Sequence, residues 1–291
     1  MCRLYGLQAT HPTEVDCALL DAHNALIAQS KQDARGLSNP HGWGMGHIAN
    51  GTTSCFRQVH PAFESQGYRK KAAHIEGTTI LAHVRRATVG DPKQANTHPF
   101  RHGPALLAHN GHVPAFEAIR PHLLDRLSDK YQGIIHGDTD SEHIFALLLQ
   151  LLKETPGAPL HVVTRDAVTL VQSWVEAAHS TVETGPTSAD IEAPPHAEHG
   201  PVLGLNLLWT DGDTLAGVRL NRTLWSLRRQ SVPSCSVCGS PLADPPDGDD
   251  YASTVFASER LTDDDWTEVP NGAVFSVSTD GTLTLESLDA A

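Results

Sequence analysis

The chain has 291 residues, 40% of them hydrophobic, with 34 Asp+Glu against 21 Lys+Arg and a formal net charge of -13. That length buries a sizeable core, and so acidic a balance offers no basic footprint for a phosphate backbone, so nucleic acid is excluded as a partner. The longest apolar stretch, Ile144 to Leu152, is too short for a bilayer span, and the N-terminus has no charged-then-apolar leader; a soluble, cytoplasmic protein without a membrane partner is expected.

Arg3 to Gln8 alternates like a strand, and Val15 to Gln29 places Val15, Leu19, Leu20, Leu26 and Ile27 at helical spacing. Trp43 to Ala49 and Thr53 to Val59, joined by Asn50-Gly51, read as a hairpin, and Thr78 to Arg85 as a further strand. Ala105 to His109 is a short buried strand. Helices are expected over Pro114 to Leu127, over Ser141 to Lys153 behind an Asp-Thr-Asp start signal, and over Arg165 to His179. Residues 181–201, rich in Thr, Pro, Glu, His and Gly, read as an exposed loop. Strands then return at Val202 to Trp209, Leu215 to Leu220, Thr223 to Leu227, Ala273 to Val277 and Leu283 to Ser287.

Strands, then helices, then strands is an α+β order, in which mainly antiparallel sheets stack and helices cover the outside. No G-x-G-x-x-G or P-loop argues for a nucleotide fold. One domain over 2–291 is expected, carrying the loop 181–201 and a Cys-x-x-Cys insertion at 231–250. The five cysteines (Cys2, Cys17, Cys55, Cys235, Cys238) are odd in number and scattered, unlike a secreted disulfide framework. Cys235 and Cys238 have half of a zinc-knuckle spacing, which His196 and His199 could complete. Two unpaired thiols are the preferred reading, with no metal and no cofactor.

The chemistry is concentrated in the first half. Cys2 directly follows Met1; removal of Met1 leaves one residue bearing both a thiol and an α-amine, a nucleophile and its own base. Groups of these two types titrate within about a unit of each other near neutrality, so a proton passes between them for about a kcal/mol. Five polar clusters stand at strand or loop ends, where backbone can approach a ligand: Asn39 to Gly44, Ala82 to Thr88, Asn96 to Phe100, His109-Asn110-Gly111, and Gly137 to Glu142.

Together with Cys2, these clusters resemble in order and spacing the glutaminase domain of the class II glutamine amidotransferases, a branch of the N-terminal nucleophile hydrolases. The match runs over about residues 2 to 150. Met-Cys-Arg, His-Gly-Trp-Gly and Arg-Arg-Ala-Thr-Val-Gly look most like the stand-alone amidotransferase-like proteins, which include the γ-glutamyl hydrolases of ergothioneine synthesis. The resemblance implies a four-layer αββα sandwich, with Cys2 as nucleophile and Asn110 and Gly111 as the oxyanion hole. It implies that Arg85 takes the substrate α-carboxylate and Asp140 the α-ammonium, that Thr88 contacts substrate, and that Gly42 and Trp43 form a wall near the nucleophile. Guanidinium suits its role because its planar fork grips both carboxylate oxygens. Read alone, several of these residues have plainer roles: Asn110-Gly111 is a hairpin dipeptide, Asp138 and Asp140 suit a helix N-cap, and Trp43 suits a core. Arg86 should point to the opposite face of its strand, and His83 and His98 should bond loop backbone.

The expected activity is cleavage of the γ-amide of glutamine or a γ-glutamyl amide to glutamate plus ammonia or an amine, through a Cys2 thioester. Many family members follow the matched threonine with histidine, whereas Val89 stands here, which points away from free glutamine. The partner is then a small γ-glutamyl molecule, with a synthase partner or a homo-oligomer left open. Alternatives are an ammonia-supplying subunit for a separate synthase, a non-catalytic binding protein on the same fold if Met1 is retained, and a zinc module at Cys235 and Cys238.

Overall fold

A computed structural model describes residues 2–182, 202–235, 237 and 239–289. In chain order its strands are β1 (Arg3–Glu14), β2 (Trp43–Ala49), β3 (Thr52–Gln58), β4 (Glu76–Val84), β5 (Phe100–His102), β6 (Ala105–His112), β7 (Gly204–Thr210), β8 (Leu215–Leu220), β9 (Trp225–Arg229), β10 (Ser253–Ala257), β11 (Thr267–Glu268), β12 (Ala273–Val277) and β13 (Leu283–Ser287). The helices are α1 (Leu26–Lys31), α2 (Gln66–Ala72), α3 (Phe116–Arg126), α4 (Asp129–Gln132), α5 (Asp140–Glu154) and α6 (Leu160–Val182). One sheet has the order β11-β9-β10-β1-β4-β2-β3, the other β13-β12-β8-β7-β6-β5, and every pairing between these strands is antiparallel.

Alternation along the strands sorts three cores, because successive side chains leave a strand on opposite faces. Tyr5, Leu7 and Ala9 of β1 and Ile80, Ala82 and Val84 of β4 pack against α1, α2 and the π-type turn Cys17–Asp21. Leu4 and Leu81, one position out of phase, meet Leu106, Ala108 and Leu208 of the second sheet, beside the stacked rings of Phe256 and Phe275. Leu107, Leu205 and Leu207 on the far face pack against α3, α5 and α6. The layers are therefore helices, sheet, sheet, helices, the αββα order expected. No helix among the described residues is long and apolar enough to cross a membrane.

Several expectations are corrected. Val15 to Gln29 is not one helix: after the π-type turn the chain leaves helical geometry at Ala22 to Ala25. There the Asn24 side chain donates to Glu259 Oε2 (3.1 Å) and to the carbonyl of Arg260 (2.9 Å), and tertiary bonds override the local period. The third helix is longer than Arg165 to His179. It begins at Leu160 and runs through 181 and 182 of the expected loop, whose remaining residues 183–201, with His196 and His199, lie outside the described residues. Cys235 is no unpaired thiol: it forms a disulfide with Cys17, tying the insertion to the first helical turn. Cys238 lies outside the described residues.

Candidate functional site

The phase that sends Leu4 between the sheets sends Cys2 there as well, just outside the first residue of β1. Its neighbour in the sheet, β4, ends at Val84, and the next residues curl over the thiol: Cys2 Sγ lies 3.3 Å from both the N–H and the carbonyl oxygen of Arg86. The chain is fixed there by Arg3, on the opposite face. Arg3 donates to the Cys2 carbonyl at 2.9 Å and is held by Asp33 (2.8 Å) and Glu259 (2.6 Å) in a nearly dry ion cluster. Such a cluster fixes geometry because moving any member leaves a buried charge unpaired.

Arg85 leaves β4 in the same phase as Leu81 and His83 and is 2% exposed. Its guanidinium donates to the carbonyls of Val89 (2.9 Å), Gly90 (3.0 Å) and Asp91 (3.1 Å), clamping the loop that carries half-buried Thr88. Burial pulls the guanidinium below its ordinary value, while Cys2 and then Asp140 favour its charge. The three residues therefore share one electrostatic neighbourhood. Asp140 is not the cap of α5; Thr139 is, accepting from the Glu142 N–H at 3.3 Å. The buried Asp140 carboxylate accepts from the N–H groups of Val113 (3.0 Å) and Ser141 (2.7 Å). Asp138, by contrast, pairs with Lys93 at the surface.

Asn110 and Gly111 form no turn. β6 runs on through them, Asn110 opposite Asn206 and Gly111 opposite Leu205. In phase with Leu106 and Ala108, the Asn110 side chain enters the space between the sheets. There its Nδ2 donates to Ser258 Oγ at 3.1 Å, and the same hydroxyl accepts from the Leu4 N–H at 3.0 Å. Asn110 Oδ1 is buried with no partner among the described residues. Gly111 has no room for a side chain: a Cβ would collide with the Gly204 carbonyl and with His109 Nε2. His109 bonds Ser141 Oγ through Nδ1 (2.8 Å), and its carbonyl meets His83 Nε2 (3.1 Å), which steadies the backbone on either side of Asn110. Burial drives His83 down to about 3 and lowers His98 and His109, so all three are neutral. His98 does not bond loop backbone as expected; its ring lies between those of His83 and Phe100, and neither nitrogen has a partner among the described residues.

The carbonyl of Gly42 accepts from the Arg85 N–H at 2.8 Å, and His41 Nδ1 accepts from the Ala87 N–H at 2.9 Å, so this run lines the same strand end. Trp43 does not join it. In β2 its ring faces the helix-side core, edge-on to Tyr68 at 5.2 Å. The strand ends and the start of α5 thus gather Cys2, Arg85, Asp140, Asn110, Gly111 and Gly42, from segments up to 138 positions apart. A sequence-family description, glutamine amidotransferases class-II, matches residues 1–290.

The chain belongs to this family. Among its relatives is the probable glutamine amidotransferase DUG3 of Saccharomyces cerevisiae, 26% identical over 95% of this chain and 82% of that protein. The γ-glutamyl-hercynylcysteine sulfoxide hydrolase of Mycobacterium tuberculosis is 35% identical over a segment covering 39% of this chain and 50% of that one. In fold, the chain superposes on the glutamine phosphoribosylpyrophosphate amidotransferase of B. subtilis with a TM-score of 0.60 at 15% identity, over 99% of this chain and 50% of that one. The fold is that of the N-terminal nucleophile hydrolases.

The residues that hold the site together, Ser258, Glu259 and Asp33 with Arg3, are given no role by the sequence alone. The run Ala257-Ser258-Glu259 follows a strand the sequence did not reveal. The signal for it is a likeness: Ala257-Ser258-Glu259-Arg260-Leu261 resembles the C-terminal part of the stand-alone amidotransferase-like proteins, a segment that lies near their active-site cleft.

Proposed function

We propose that the protein hydrolyses a γ-glutamyl amide through a thioester on Cys2. With Met1 removed, the α-amine of Cys2 accepts the thiol proton as Sγ attacks the γ-carbonyl carbon. The carbonyl oxygen becomes an oxyanion facing the Asn110 amide and the Gly111 N–H. The α-ammonium formed then returns its proton to the departing nitrogen, and the C–N bond breaks. Water, deprotonated by the same amine, attacks the thioester and releases glutamate and the thiol. Arg85, whose Nε and one Nη1 hydrogen bond nothing among the described residues, binds the α-carboxylate, and the Asp140 carboxylate binds the α-ammonium. Gly42 and Thr88 line the glutamyl end.

The observation that supports this best is the position of Cys2 Sγ, seated against the backbone of Arg86 in one electrostatic neighbourhood with Arg85 and Asp140. Preorganised donors of the Asn110 kind are each worth ~2.7 to 4 kcal/mol of barrier in amide-cleaving enzymes. The experiment is glutamate release from glutamine and a panel of γ-glutamyl amines. Wild-type protein releases glutamate from at least one, and Cys2→Ala abolishes it; release that survives Cys2→Ala overturns the mechanism. Detection of the freed amine in solution, without any synthase present, supports hydrolysis over ammonia transfer to a partner.

A further inference from the structure

A cleft beside Asn110 is lined by Arg3, Arg35, Arg219, Asn221, Arg222, Thr223 and Asn271. Four guanidinium groups in one cleft are unexpected in a chain of net charge -13. Two are neutralised: Arg3 by Asp33 and Glu259, and Arg219 by Glu268 at 2.6 Å. Arg222 and Arg35 have no carboxylate within ion-pair distance among the described residues.

Arg222 is held in place. It sits in the turn between β8 and β9, where its own carbonyl accepts from Arg219 Nε at 2.6 Å and the next residue, Thr223, donates to the Ser258 carbonyl at 3.0 Å. Its guanidinium fills the place that a side chain at 204 would take. A Cβ at Gly204 would stand 2.6 Å from Nη2 and 2.7 Å from Nε, so only glycine admits this posture. The Gly204 carbonyl in turn abuts Gly111. Nη1 donates to the Asn221 carbonyl at 2.8 Å, while Nε is buried with no partner among the described residues. Burial, and then repulsion from Arg35, make the Arg222 charge harder to hold. Two like charges set together beside the oxyanion pair, one of them with an orphaned donor, form a place that an anion would complete.

We infer that Arg222, with Arg35, binds a carboxylate on the amine half of the substrate, so that the preferred substrates are γ-glutamyl amino acids rather than glutamine or neutral γ-glutamyl amines. This rests on the reading of Cys2 and Asn110 above. Arg85 and Asp140 then grip the glutamyl end, and Arg222 grips the leaving group beyond the scissile bond.

The test is the ratio of kcat/KM for γ-glutamylglycine to that for γ-glutamylethylamide, which differ in carrying or lacking the carboxylate. The wild-type ratio is expected to be about 10 or more, from one charge-assisted bond. Arg222→Ala should bring it towards 1, Arg35→Ala should lower it about threefold, and Arg222→Lys should keep most of it. If Arg222→Ala does not fold, the exposed Arg35→Ala variant still reads the ratio. A wild-type ratio near 1, or a ratio unmoved by these substitutions, overturns the inference while leaving the hydrolase reading intact. Turnover of neither compound by the wild type sinks the hydrolase reading and this inference with it.

Discussion

Asn110 and Ser258, 148 positions apart, meet between the two sheets, the asparagine Nδ2 donating to the serine Oγ at 3.1 Å. Because the same Oγ already accepts from the Leu4 N–H, the amide is fixed with its nitrogen towards the serine and β1. Ser258 therefore acts as a positioning residue. Ser258→Ala should lower kcat for glutamate release about tenfold, with KM changed less than twofold, since an oriented donor matters most when charge develops. Steady-state kinetics check this; a raised KM at constant kcat contradicts it.

Arg3 carries a second prediction. Its guanidinium joins Asp33, Glu259 and the Cys2 carbonyl in a cluster with almost no solvent access. Arg3→Met leaves two carboxylates facing each other, and removing one partner of a buried ion pair costs ~3 to 5 kcal/mol. Urea unfolding should show a loss of that order, and a loss under about 1 kcal/mol would place the cluster at the level of a surface pair.

The disulfide between Cys17 and Cys235 closes a loop with a sequence separation of 218. Non-reducing digestion of protein purified without reductant should yield one peptide pair joined through these residues. Cys17→Ser should cost ~2 to 4 kcal/mol of stability relative to the oxidised protein. Free thiols at both positions in a native digest would contradict the link.

Acid sensitivity follows from the buried histidines. Burial holds His83 at about 3 in the folded chain and lowers His98 and His109, whereas an exposed imidazole titrates near ~6.5. Below pH ~6.5 the unfolded chain takes up protons that the folded chain refuses, so stability is complete above that pH and is lost as the pH falls towards 3. The urea midpoint should drop steadily between pH 6.5 and 4, and His98→Gln should remove about one proton from that slope. A midpoint constant over this range refutes the assignment.

Much of this fold is legible in the sequence wherever a period meets a turn. The hairpin of β2 and β3 follows from alternation around Asn50-Gly51, and β12 and β13 from short β-rich runs around Asp280-Gly281. β10 is not legible: Ser253–Ala257 is short, its nearest turn dipeptide, Asp247-Gly248, belongs to the Cys-x-x-Cys insertion, and its pairing with β1, at the other end of the chain, is what defines it. The candidate site divides in the same way. Cys2, Arg85, Asn110, Gly111 and Asp140 stand at the ends of recognisable elements and are brought together. Trp43 sits in a motif-like run but alternates into the core, a choice made by strand phase that residue type does not reveal. The bonds of Ser258 to Asn110 and Leu4, and the Cys17–Cys235 link, join positions remote in sequence, which no local pattern encodes.

Catalysis as proposed turns on one sulfur atom, and the chain supplies its own control. Cys55 is also a free thiol, but burial raises it and its Sγ bonds the Pro99 carbonyl at 3.4 Å, away from the clustered strand ends. Mass spectrometry of the purified protein after exposure to a γ-glutamyl chloromethyl ketone is the most direct measurement. The expected product is a chain that begins at Cys2 and carries a single adduct on that residue, suppressed by Arg85→Ala. A retained Met1 with Cys2 unmodified, or modification falling on Cys55 instead, would contradict it.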